Sequence, residues 1–490
     1  MDSDSDFQII FDFASSKPVV LEPSAGQISR DAGLLPFRQL DEQLGLTRQF
    51  AEALADSRDQ AYVDHSVLDM TRMRVYGILA DYPDQNDHDV LRSDPIFKLI
   101  CGRSIEDEDL ASQPTLSRFE NAIDVGSFFR LRETLIEQFI ASFDEPPRQL
   151  TLDMDPFDDP THGQQQLTFF HGYYDQYQYL PRLITCAEND LVLDLCLLYG
   201  SAHPALGADS DLAYVVGRLR QAWPGVRIHF RGDSGLGVPK VYKACEQLDI
   251  EYTIGIGMNS RLKKLSDGLL EEAVSRFEAT GQSQRLFCAF WYRADSWPTQ
   301  RWVVVKCEAN AQGTNRRAVV TTRPGASVMP AACYDEYADR GESENRNKEL
   351  KCGLQADRLS DHRYFANLFR LYLHATAHNL LVRTRDVVVD PPTEPAGIHF
   401  LGEAAEQDVP VEAWSGRRRR QWHNLRREHD PLGEGQACTW RTRLIKVGAV
   451  VFESARRVVV QLSSSWPYLN HFKKVSQQIL AGGRASFDSS

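Results

Sequence analysis

The chain has no cysteine pairs of the kind that frame a zinc site or a disulfide scaffold. Its nine cysteines are odd in number and scattered, and none stands in a C-x-x-C pair. That usage suits a reducing cytosol. No apolar run is long enough to span a bilayer, and the acidic start MDSDSDFQII is unlike the basic head of a signal peptide. A cytoplasmic protein with no membrane partner is the expectation. His/Cys ligand spacings, a Walker loop, a G-x-S-x-G elbow and a dinucleotide fingerprint are all missing. Gly235-Leu236-Gly237 stands alone and reads as a turn. There is no internal repeat and no long low-complexity segment. Positive charge is scarce too: 55 Lys and Arg face 68 Asp and Glu over 490 residues, a net of −13. Taken whole, that balance argues against nucleic acid. With 42% hydrophobic and 25% charged residues the chain is globular rather than disordered, and it is long enough for several domains.

The charge is unevenly spread. Residues 1–200 hold 36 acidic and 15 basic side chains, a net of −21, whereas residues 201–490 hold 32 and 40, a net of +8. The run Arg417-Arg418-Arg419-Arg420, with Trp422, His423, Arg426 and Arg427 behind it, reads either as a solvated tail or as an arm that contacts phosphates.

Residues 1–145 show helical spacing, as in Leu44, Phe50, Leu54 and then Val67, Met70, Val75 and Leu79. After Pro146-Pro147 the period changes. Strand-like runs fall at 148–155, 167–174, 179–186 and 191–200, followed by a helix at 211–223, a strand at 226–233, a helix at 238–248 and a strand at 251–257. This order describes an α/β core with a mixed sheet. Residues 283–325 are again strand-rich, and a long helical region is expected from 334 to 385. PPTEP (391–395) reads as a linker into a basic C-terminal part.

Two acidic motifs end core strands: Leu152-Asp153-Met154-Asp155 and Arg231-Gly232-Asp233-Ser234-Gly235. Active sites of open α/β sheets gather at strand carboxyl ends. Further on, Tyr337, Arg340, Glu344 and Lys351 are spaced by 3, 4 and 7 residues. On a continuous helix they share an arc of roughly 60°. That face presents one carboxylate, two cations and a phenol, without an apolar stripe. An exposed helix laced with i,i+4 ion pairs would look similar. Taken together, three carboxylates suit two Mg²⁺ ions, whose shells need few protein oxygens besides water and phosphate. Such a pair, about 4 Å apart, serves in-line phosphoryl transfer.

The order Asp, Asp, Tyr-x2-Arg-x3-Glu-x6-Lys resembles the DDE transposases of bacterial insertion sequences, in the branch with the Tyr-Arg-Glu-Lys signature. DYPDQNDHDVLRSDP, LDMDPFDDPTHGQQQ, RGDSGLGVPKVYKACE and RGESENRNKELKCGLQADRLSDHRYFANLFRLYLHATAHNLL carry the likeness, over roughly residues 20–385. The resemblance implies an RNase H-like core of 146–260 and 331–390, interrupted by a β-rich insertion at 261–330. A helical DNA-binding domain (1–145) would precede it and a basic region (391–490), for DNA contact or dimerisation, would follow. It implies Asp155, Asp233 and Glu344 as catalytic metal ligands for two Mg²⁺, with Mn²⁺ able to substitute. Asp153, on the same side of its strand, is the fallback for the first position. The family usually reads Asp-x-Thr there, where this chain reads Asp155-Pro156-Phe157.

The resemblance further implies that Tyr337 and Arg340 hold phosphates near a base flipped at the element's end, while Arg340 and Lys351 would clamp phosphates around the scissile bond. A tryptophan of the insertion, among Trp291, Trp297 and Trp302, would stack on that base. Arg231 and Arg417–Arg420 are further DNA-contact candidates. The implied partners are double-stranded transposon ends and target DNA, with a homodimer in the synaptic complex, in a bacterial nucleoid. The implied reaction cuts at terminal inverted repeats and transfers the 3′-OH ends. Two other readings keep parts of this: a nuclease of the same fold without strand transfer, and a domesticated, non-catalytic DNA-binding protein.

Overall fold

Three short stretches with alternating polar and apolar side chains build the centre of the fold. They are Thr151-Leu-Asp153-Met-Asp155, His229-Phe-Arg231-Gly-Asp233 and Thr253-Ile-Gly255. In strands this alternation sends one set of side chains to each face. A computed structural model describes residues 8–11, 19–322, 329–388 and 436–487. It divides the chain into two compact units, one of residues 1–51, 56–119 and 383–490, the other of 52–55 and 120–382.

The second unit holds the sheet. Its main strands are β1 (Gln149–Pro156), β2 (Gln176–Cys186), β3 (Val192–Leu198), β4 (Arg227–Gly232), β5 (Glu251–Ile256), β6 (Gln284–Tyr292), β7 (Arg301–Asn310) and β8 (Gly313–Thr321). β1 lies parallel to β4, and β4 parallel to β5. On the other side of β1 come β2 and then β3, both antiparallel. Beyond β5 the sheet continues through β8, β7 and β6, all antiparallel. The result is a mixed sheet in an α/β unit, the fold class expected.

The apolar set of the three stretches (Leu152, Met154, Phe230, Ile254) is buried with Leu212, Val215 and Leu219 of the helix Ala208–Ala222. Val241, Tyr242 and Cys245 of the helix Pro239–Gln247 join the same core. The polar set meets the helices Pro330–Ala338 and Arg340–Lys348 through the side-chain contacts described below.

Two expectations need correction. The run at 167–174 forms only a short strand, Phe169–His171, because a turn through Gly172 and Asp175 reverses the chain into β2. The long helix expected at 334–385 is broken. It steps at Asp339, widens to a π turn at Glu349–Gly353, passes Gln355 at φ 61° and restarts at Tyr364. A left-handed residue ends helical hydrogen bonding. Helical spacing alone does not register it.

β5 carries one position that only glycine suits. A Cβ on Gly255 would lie 2.7 Å from the Tyr337 hydroxyl oxygen and 3.1 Å from the Ser234 nitrogen. Gly255→Ala is expected to cost about 1–3 kcal/mol through that overlap, and to push Tyr337 off its seat. Thermal denaturation, with Tyr337 fluorescence or NMR as the local probe, checks both.

The first unit is stitched from both ends of the chain. The helix Val67–Leu79 starts at a capping box between Ser66 and Asp69, and its last carbonyls, Ile78 and Leu79, accept from Arg441 at 2.9 and 2.8 Å. Trp440 is fully buried, edge-on to Phe37 of the helix Leu34–Leu44. The hairpin Ala449–Ser454/Arg457–Leu462 takes Ile28–Ser29 as its third strand. Among the described residues no helix is long and apolar enough to cross a membrane.

Candidate active site

The register of the parallel strands decides what stands beside what. Asp153 pairs with Arg231 and Met154 with Gly232, so the next step places Asp155 beside Asp233 just past the paired ends. On β5, Thr253 pairs with Arg231 and Ile254 with Gly232, which brings Gly255 beside Asp233. One face of three strands thus carries two polar rows. The inner row, Asp153–Arg231–Thr253, contains an opposite-charge pair. The outer row, Asp155–Asp233–Gly255, contains a like-charge pair, with the Tyr337 hydroxyl packed against Gly255.

The inner pair is closed. Arg231 donates from Nε and Nη2 to the two oxygens of Asp153, 2.7 Å each, and from Nη1 to the Glu336 carbonyl at 2.7 Å. Both side chains are buried. All three guanidinium nitrogens are engaged, so Arg231 is a brace under the site rather than a surface cation.

The outer pair is not neutralised in this way. Burial raises the Asp155 carboxyl to about 7; Arg340 opposes the shift and the charge of Asp233 adds to it. Asp233 is raised as well, first by burial, although its side chain accepts from the Gly235 nitrogen at 3.0 Å. One guanidinium serves both carboxylates and a third. Arg340 Nη1 lies 3.4 Å from Asp155 Oδ1, its Nη2 is hydrogen-bonded to Glu344, and its Cζ sits 5.7 Å from the Tyr337 ring centre. Burial opposes the Arg340 charge, yet Asp155, Tyr337, Glu344 and Asp233 together hold its pKa above the usual value. Asn347 Nδ2 donates to Asp155 Oδ2 at 3.1 Å and fixes that carboxylate.

Tyr337, Arg340 and Glu344 are therefore brought together with Asp155 and Asp233. Lys351 lies in the π turn and pairs with Asp158, whose carboxyl it keeps low against the opposing effect of burial. Trp297 is in the core, edge-on to Tyr242 and Tyr292 and under Arg301, so its ring has no free face. Trp302 is half-buried against its cross-strand neighbour Trp291, and Trp291 is the exposed ring of the pair. Arg417–Arg420 lie outside the described residues. Asn347 went unnoticed in the sequence, since asparagine belongs to no ligand pattern. Its spacing, three residues after Glu344 on the helical face of Arg340, was the available signal.

Among the described residues no three Asp, Glu, His or Cys side chains converge as a ready metal cage. The donor chemistry nevertheless fits a hard divalent cation. Asp155, Asp233 and Glu344 are all oxygen donors, and burial raises both strand-end carboxyls, Asp155 further by the charge of Asp233, so the anionic pair is short of positive charge. Arg340 supplies part of that charge here.

The chain matches the family described as transposase DDE domain group 1 over residues 11–399, and it belongs to that family. No curated protein matches it. Among solved structures it is similar to the piggyBac transposase in a cryo-EM synaptic complex with hairpin DNA. The identity there is 13% and the TM-score 0.38, over 72% of this chain and 74% of that one.

Proposed function

We propose that this transposase cuts DNA at terminal inverted repeats and joins the freed 3′-OH ends to target DNA, using a two-metal site held by Asp155, Asp233 and Glu344. The observation that carries the reading is the like-charge row Asp155–Asp233 at the carboxyl ends of two adjacent parallel strands, faced by Arg340 and Glu344. The strand order β3-β2-β1-β4-β5, with the first three antiparallel and the last three parallel, supports the RNase H-like reading of the core. The strands β6–β8 fall within residues 261–330, read from the resemblance as the insertion, and continue the core sheet from β5.

In this mechanism each side chain has a task. Asp155 and Asp233 would hold the cations from the strand ends, and Asn347 fixes the Asp155 carboxylate by its hydrogen bond. Glu344 stands on the exposed side and completes the donor set. Bound there, Mg²⁺, with Mn²⁺ as a substitute, would supply Lewis-acid activation of an attacking oxygen and charge stabilisation of the leaving one. Arg340, and Lys351 once drawn off Asp158, would hold phosphate oxygens around the scissile bond, where a fixed positive charge is worth most. Tyr337, seated at Gly255, orients the Arg340 guanidinium. Two ends must be held at once, so a dimer in the DNA complex follows.

The test is a reaction of the purified protein with Mg²⁺, DNA carrying the inverted repeats that flank its gene, and a target plasmid. Cleaved ends joined to target are expected, and Glu344→Gln should slow both steps. Cleavage without joining would make the protein a nuclease of the same fold. Binding without cleavage would make it a DNA-binding protein only.

A further inference from the structure

A surface unused by this mechanism lies on the hairpin between β1 and β2. Residues 161–174, THGQQQLTFFHGYY, contain no Asp, Glu, Lys or Arg, although the first 200 residues carry a net of −21. Their aromatic rings are in solvent: Phe169 is 45% exposed, Phe170 48% and Tyr173 86%, with Tyr177 at 59% on the return strand. Grouped exposed rings mark an interaction site.

The rings are held out rather than merely left out. Phe170 pairs across the hairpin with Tyr177, edge-on at 5.7 Å, and Phe169 meets Tyr199 at 5.9 Å. Tyr173 and His171 each contact Tyr174 at 5.0 Å. The base of the hairpin is pinned by Gln165 Nε2 to the Leu359 carbonyl (2.6 Å), by the Gln166 nitrogen to the His362 carbonyl (2.9 Å) and by the Tyr364 nitrogen to Gln166 Oε1 (3.2 Å). Phe170 and Tyr177 share one face of this ribbon, and Phe169, the preceding residue of the strand, turns to the other face with Tyr199.

The hairpin also runs up to the carboxylates. Gln176 Nε2 donates to Asp158 Oδ2 at 3.1 Å, and Asp158 pairs with Lys351. Tyr174 is half-buried there; burial first, then Asp158, Tyr173, Asp233 and Asp155, push its phenol to about 12.

We infer that this aromatic hairpin is a stacking platform for unpaired bases of the DNA strand whose phosphate lies at the carboxylates. The inference rests on the transposase reading. A duplex hides its base faces, whereas an unpaired strand offers one at every nucleotide. Residues 161–174 add no charge of their own; the exposed Asp175 follows at the turn, and Lys351 on Asp158 is the cation at the hairpin's base. Stacking makes the contact independent of base identity.

The test uses a single-stranded oligonucleotide of about 16 nucleotides containing 2-aminopurine, and the duplex of the same sequence, both with EDTA so that no cleavage intervenes. The wild-type protein should bind the single strand and quench the probe. Phe170→Ala and Tyr173→Ala should each weaken that binding about tenfold, with duplex binding and melting temperature unchanged. Tyr173→Phe, which keeps the ring, should bind as wild type does. Unchanged single-strand binding in both alanine variants overturns the inference alone. So does a loss of self-association in sedimentation without any change in oligonucleotide binding, which would make the patch a contact between copies. A wild-type protein that binds neither strand nor duplex would remove the transposase reading and the inference together.

Discussion

Asp155→Asn is expected to leave a folded protein whose cleavage of end DNA is slower by about a hundred- to a thousandfold or more. The amide keeps the shape of the carboxyl and still offers an oxygen to Asn347 Nδ2, so the local hydrogen bond survives. What disappears is one negative charge of the pair Asp155–Asp233, and with it the demand for a cation. Folding should not suffer, because that charge is buried and sits against its neighbour. The pH dependence carries a distinct sign. Asp155 has a folded-state pKa of about 7, raised first by burial, above an unfolded value of about 4. The folded protein therefore binds this proton more tightly than the unfolded chain does. Its contribution to stability is full below about pH 4 and is lost as pH rises through about 7. Wild-type protein in EDTA should lose melting temperature across that window more steeply than Asp155→Asn. Mg²⁺ should restore stability to the wild type at the upper end and do less for the variant. Cleavage assays with calorimetry at stepped pH measure both. An Asp155→Asn protein that cuts normally, or that follows the wild-type pH slope, would remove Asp155 from the site.

Much of this site could be read from local sequence, because its foundation is an alternation of period two. Thr151-Leu-Asp153-Met-Asp155 and Arg231-Gly-Asp233 declare strand ends with acid on one face, and Arg340 to Glu344 is a one-turn helical step that the structure keeps. Register between strands is not local. It is set by how the buried Leu152, Met154, Phe230 and Ile254 pack, and only register shows that Asp153 faces Arg231 while Asp155 faces Asp233. Helical phase failed for a related reason. The seven-residue step to Lys351 enters a π turn, and Lys351 goes to Asp158 instead of continuing the row. Three tryptophans in one β-rich stretch look alike in sequence. Burial separates them, since Trp297 closes the core under Arg301 and Trp291 stays in solvent. Bulk charge was the poorest guide. A net of −13 counts each acid alike, whereas Asp153 is cancelled by Arg231 and Asp155 is not.

Asp153→Ala, two residues earlier on the same strand, should have the opposite outcome: lost stability with no special effect on chemistry. Asp153 is 1% exposed and Arg231 4%. Burial raises the Asp153 carboxyl, and the two hydrogen bonds from Arg231 work against that rise. Removing the acid leaves a guanidinium buried with one remaining bond, to the Glu336 carbonyl. Breaking a buried pair from one side costs about 3–5 kcal/mol, a large share of the roughly 5–15 kcal/mol that holds a domain. Urea denaturation should show a lower midpoint with an unchanged slope. The companion variant Asp153→Leu with Arg231→Met removes both charges and should recover much of the loss, since replacing such a pair by apolar groups of similar size is often neutral. If the pair is only a brace, the recovered double variant should also cut DNA. The contrary pattern is equally clear: an Asp153→Ala protein as stable as wild type that no longer gains stability from Mg²⁺. That result would move the first metal ligand two residues back along β1 and make Asp155 its neighbour.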